Sequence, residues 1–145
     1  MKLINVIFLL FASASLIAQE RGYKKIDHQV HEIHGLSSVD FQVDGLPHEV
    51  KSTKGTRILV DIIIHSNVQS EAVLNYLMKE GRYAMETVVD KTTHRLQFVP
   101  KELGVIVIKG KPLVEEISYI FYVPEQLPFT VSPSVISDPG ALAKK

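Results

Sequence analysis

Three histidines recur at every third position near the start of the chain, His28, His31 and His34, and imidazole is a common metal ligand. Their spacing argues against a shared ion if the segment is extended. His28 and His31 then point to opposite faces, while His28 and His34 share a face but stand about 20 Å apart at about 3.3 Å per residue. A helix or loop would bring two of them together, yet Val30 and Ile33 between them read as packing residues. All three are therefore expected as solvent-facing polar positions. A small periplasmic metal- or ligand-binding protein using His28, His31 and His34 is the alternative.

Asp61 is the second residue whose setting could do chemistry, because it interrupts a run of apolar residues and an unpaired carboxylate there would be costly. The expectation is an Asp paired with Arg57, Arg82 or Arg95, or one on the open face of its sheet. A hydrolase built around it would need a concavity and a second acid or histidine. Lys54-Gly55-Thr56 lacks the upstream glycine of a phosphate loop and leads into a strand, so it is read as a turn. No serine sits in a G-x-S-x-G elbow. Neither an enzyme nor a cofactor is expected. The best surface candidate is the aromatic run Tyr119, Phe121 and Tyr122. Tyr122 must face away from the other two, and the bland reading is a core strand covered on both sides.

The elements that carry these residues are mostly strands. Val39, Phe41 and Val43 alternate with polar residues, as does the short segment from His48 to Thr53. Thr56 to His65 is apolar on both faces and reads as a central strand. Glu71 to Glu80 has helical spacing in Val73, Leu74, Leu77 and Met78, with Ser70 as its expected N-cap and Gly81 at its C-terminal end. A hairpin follows, from Arg82 to Val89 and Arg95 to Val99 around the turn Asp90 to Thr93. Val105 to Ile108 and Val114 to Val123 are the last two strands. About seven strands with one short helix at about 70–80 predict a mainly β fold, an antiparallel sandwich or related β-stack. The single domain is expected over 26–131, after a mobile leader at 19–25 and before a flexible tail at 132–145.

Composition bounds the compartment and the partners. Met1-Lys2, an apolar run and then small residues up to Ala18 read as a signal peptide at 1–18, too short for a membrane span, so the protein is expected to be exported, periplasmic or extracellular. No transmembrane segment is expected once it is removed. Its loss takes away Lys2 and leaves fifteen basic against sixteen acidic residues, spread along the chain, so no nucleic-acid partner is implied. The chain has no cysteine, which excludes disulfides, thiolate metal sites and a thiol nucleophile, and leaves burial as the source of stability.

Tyr122-Val123-Pro124-Glu125, followed by Leu127-Pro128-Phe129-Thr130-Val131, resembles a strand boundary of adhesin-like, DUF4097-like proteins of bacterial envelopes. Gly35-Leu36-Ser37-Ser38-Val39 and Lys54-Gly55-Thr56, each entering a strand, and the export signal support the resemblance. It implies stacked strands and a binding or structural role at the periplasm or cell surface, with an envelope protein or surface component as partner and no catalytic residues to carry over. The helix near 70–80 and the early end of the strand pattern depart from that family.

Overall fold

The structure, a computed structural model, describes residues 22–134; the expected signal at 1–18 and residues 135–145 of the expected tail lie outside the described residues. It is mainly β, with ten strands and one helix among the described residues. One sheet takes β1 (Tyr23–Glu32), β4 (Arg57–Ser66), β9 (Glu115–Pro124) and β3 (His48–Thr53) in the order β1-β4-β9-β3. The other takes β2 (Ser38–Asp44), β5 (Glu86–Asp90), β6 (Arg95–Val99) and β10 (Phe129–Pro133) in the order β10-β2-β6-β5. A small hairpin joins β7 (Val107–Ile108) to β8 (Lys111–Pro112).

Alternation decides which side of each strand meets the other sheet. In β4, Ile58, Val60, Ile62 and Ile64 are wholly buried, whereas Leu59, Asp61, Ile63 and His65 face outward. Val39, Phe41 and Val43 of β2, Leu96 and Phe98 of β6, and Tyr119, Phe121 and Val123 of β9 complete the interior. Phe41 and Phe121 stack across the two sheets with ring centroids 4.0 Å apart, and Phe98 lies 5.4 Å from Phe41 and 6.3 Å from Phe121. This aromatic cluster fixes the spacing between the layers.

The helix α1 (Glu71–Lys79) sends Leu74 into that same interior, so it does not cover the outer side of β4 where Ile63 lies. Ser70 occupies the N-cap in extended geometry, but its side chain makes no capping bond. The C-terminal end follows its expected design. Gly81, at φ 70°, donates to Met78 O and Arg82 donates to Leu77 O, the pair of bonds that a left-handed residue permits.

Several expectations need correction. The pairing is mixed instead of purely antiparallel: β10 with β2, β2 with β6 and β3 with β9 are parallel. Chain crossings between the two sheets make this possible without repeated crossover helices, since neither β3 nor β10 follows its parallel neighbour directly in the same sheet. The first ordered strand starts at Tyr23, inside the segment expected as a leader, because Tyr23, Lys25, Asp27, Gln29 and His31 alternate inward against β4. Ser132 and Pro133, expected in the tail, belong to β10. Of the apolar run Val105 to Ile108, Val107 and Ile108 form the ladder with β8 and Ile106 O accepts from Leu113 N–H, while Val105 and Val107 are exposed. The turn between them and β8 is Lys109-Gly110, both with positive φ, which suits a two-residue hairpin.

The two faces of β4 give a direct test. Ile62→Ala should cost roughly 2–5 kcal/mol because it removes a fully buried side chain and leaves a cavity. Ile63→Ala, on the half-covered outer face, should cost roughly 1 kcal/mol. Urea midpoints at unchanged slope measure both; equal losses would contradict the one-sided burial.

Candidate functional site

The outer face of the β1-β4-β9-β3 sheet gathers the residues that the sequence marks as chemically interesting. Register sets Ile26 beside Ile63 and Ser118, His28 beside Asp61 and Ile120, and Val30 beside Leu59 and Tyr122. Val30 is 53% exposed, Ile26 43% and Leu59 40%, so this is a partly apolar face open to solvent. Tyr122 borders it at β9, and the Lys51 ammonium of β3 lies 5.7 Å from its ring centroid.

Asp61 takes neither Arg57, Arg82 nor Arg95 as its partner. The His28 Nδ1 lies 2.7 Å from Asp61 Oδ1, and the open face of the sheet supplies solvent, as the second expected alternative required. An Asp–His pair is a unit of acid–base chemistry, but here it lies on a sheet surface with the His28 side chain 68% exposed, and a concavity among the described residues lies elsewhere. That concavity is an open groove of about 390 Å³ at the end of the sheet, bordered by Lys24, His65 and Glu116.

The three histidines are not brought together. His28 faces outward and His31 inward from β1, while His34 lies past its end. Among the described residues, no group of three His, Cys, Asp or Glu side chains is placed to hold a metal ion. Contrary to the solvent-facing expectation, His31 packs edge-on against Phe98 with ring centroids 4.7 Å apart, and its Nε2 is buried without a hydrogen-bond partner among the described residues. Burial lowers its pKa from the ordinary 6.5, because the charged ring would lose hydration.

The aromatic candidates also divide. Tyr119 and Phe121 are buried in the interior and cannot present a binding surface; burial pushes the Tyr119 hydroxyl pKa up to about 12. Only Tyr122 stands on the outer face, where it is half-buried.

Two polar clusters escaped sequence reasoning, since each joins residues distant in the chain. Asp40, buried on β2, accepts hydrogen bonds from Thr130 Oγ1 at 2.5 Å and Ser132 Oγ at 2.7 Å, and Arg95 lies 3.1 Å away. Burial pushes the Asp40 carboxyl up, but the two hydroxyls and the Arg95 guanidinium outweigh it and hold the pKa below its usual 3.8. The cluster fastens β10 to β2 and β6. In the second, Arg82 grips Glu115 through Nε at 3.0 Å and Nη2 at 2.7 Å, and the Tyr83 hydroxyl donates to the same carboxylate. Burial and that carboxylate raise the Tyr83 pKa. Arg82 also donates to Gly104 O, so this cluster ties the segment after α1 to the start of β9 and to the approach to the β7–β8 hairpin.

Both clusters have the geometry of structural latches: every carboxylate in them is occupied by donors from neighbouring elements. Comparison with family models, curated proteins and solved structures returns no match for this chain.

Two pH tests follow from these environments. Asp40→Asn should destabilise the protein by roughly 1–3 kcal/mol at neutral pH, since a charge-assisted cluster is lost. A carboxyl whose pKa is lowered by folding stabilises above its unfolded value, and that gain disappears as pH falls through the folded value. The gap between wild type and Asp40→Asn should therefore close below about pH 4 in urea unfolding curves. For His31 the unfolded chain takes up the proton first. Stability should fall as pH drops from about 7 through the ordinary histidine value and level off below the folded one, and His31→Phe should flatten that slope.

Proposed function

We propose that the protein is an exported, non-enzymatic binding or structural module of the cell envelope, of adhesin-like type. Its contact surface is the outer face of the β1-β4-β9-β3 sheet. The observation that carries this reading is the continuous apolar stripe of Val30, Leu59 and Tyr122 running across β1, β4 and β9, with Ile26, Ile63 and Ile120 beside it. Apolar side chains left facing water on three adjacent strands supply area and shape to a partner. Tyr122, held against Lys51, offers the kind of aromatic anchor that contact surfaces favour.

The partner that fits is a protein of the envelope with its own apolar patch, rimmed by charge to meet Glu49, Lys51 and the His28–Asp61 pair. The export signal and the resemblance of the Tyr122 to Val131 segment favour the same compartment and role. The metal-binding alternative lacks a common face for its ligands, since His28 and His31 stand on opposite sides of one strand. For a hydrolase centred on Asp61, the partner His28 side chain is 68% exposed, so water is not excluded from the pair.

Affinity capture from envelope extract, with bound proteins identified by mass, tests the surface. Leu59→Glu puts a charge in the middle of the stripe and should remove the captured partner, and Tyr122→Ala should weaken capture at least tenfold. Val107→Glu, on the distant hairpin, should leave capture unchanged. Equal capture by wild type and Leu59→Glu would overturn the assignment. Intact mass of the exported protein should be lower than that of the full chain by about eighteen residues.

A further inference from the structure

The free edge of β1 carries a pattern that is complementary to itself. Its outward side chains read Lys24, Ile26, His28, Val30 and Glu32: a cation, an apolar residue, a histidine, an apolar residue and an anion. Turned end for end about His28, the same series sets Lys24 against Glu32, Ile26 against Val30 and His28 against itself. From these observations we infer that β1 pairs with β1 of a second copy of this chain, antiparallel and in that register, joining two four-stranded sheets into one of eight strands.

The backbone agrees with the register. His28 N–H points away from β4 and is held by the Asp27 carboxylate at 3.0 Å, so the even-numbered residues of β1 direct their N–H and C=O groups to the open edge. Pairing about His28 joins even residues to even residues, the set that faces the open edge, and the His28 N–H would exchange the Asp27 carboxylate for a carbonyl of the second copy. Among the described residues, the stretch Tyr23–Glu32 makes no backbone–backbone bond outside its ladder with β4. The strand is ten residues long, regular and free of proline, whereas edge strands that avoid association are commonly short or bulged. Lys24 has no ion-pair partner of its own among the described residues; Glu32 has only the exposed Arg57.

The other edges are less suited. Strand β5 would set Glu86 against Asp90 in a symmetric pair about Val88, β10 contains Pro133 and a register shift, and β3 is six residues with no exposed large apolar side chain. A two-fold axis through His28, perpendicular to the sheet, keeps the two outer faces on one side. The dimer thus doubles the proposed contact surface, but it stands or falls independently of any partner binding there.

Sedimentation velocity on the full chain, at concentrations up to about 100 µM, tests the pairing. The wild type should be dimeric. Lys24→Glu and Glu32→Lys should each raise the dissociation constant roughly tenfold or more, because each turns two cross-strand attractions into repulsions. An equimolar mixture of the two variants should restore a dimer, now mixed, since each then meets its opposite charge. Both positions are exposed, and unchanged melting temperatures check that the fold is intact. A monomeric wild type at that concentration, a dimer indifferent to either charge reversal, or variants that do not recombine on mixing would each overturn the proposal.

Discussion

The contact between Phe41 and Phe121 is the constraint on which the remainder of this structure depends. These rings, with Phe98 beside them, belong to β2, β9 and β6, so a single cluster binds three strands from two sheets. The wholly buried row Ile58, Val60, Ile62 and Ile64 extends the same layer along β4. With no cysteine in the chain, nothing covalent supplements it. Dispersion and apolar burial between close-packed side chains must offset the entropy of ordering both sheets.

Once that layer forms, the orientation of every other face is set. Alternation forces Leu59, Asp61 and Ile63 outward because Ile58, Val60 and Ile62 are inward, and the register with β1 and β9 then gathers Val30, Tyr122 and the His28–Asp61 pair beside them. The candidate surface is thus a geometric consequence of the core. The polar clusters serve the same frame from its margins: Asp40 holds β10 on β2, and Glu115 holds the chain leaving α1 to the start of β9. Strand β1 is polar on its inner side, with Lys25 paired to Glu71 of α1 and Gln29 exchanging hydrogen bonds with both backbone groups of Met85. Those contacts close the margin of the sandwich where apolar cover runs out.

Local signals in the chain sufficed for the mainly β character, the central strand Arg57–Ser66, the helix and its glycine cap, and the hairpin of β5 and β6. Each rests on periodicity or turn chemistry within a dozen residues. The opposed directions of His28 and His31 and of Phe121 and Tyr122 were legible for the same reason. Whether a face is covered is a different matter. His31 and Tyr122 each carry an amphipathic ring that suits interior and surface alike, and only the position of the opposite sheet set the first against Phe98 and left the second on the outer face.

By itself, the sequence determined the class of fold, the absence of disulfide support, and the partition of each strand into two faces. The tertiary structure decided which strands are neighbours, that three of the pairings are parallel, and which polar residues meet: Asp61 with His28, Asp40 with Thr130 and Ser132, Arg82 with Glu115. The reason is physical. A side chain's direction follows from the backbone of its own strand, but its partner is set by chain crossings and packing between residues up to ninety-two positions apart, as for Asp40 and Ser132. No local period records those contacts.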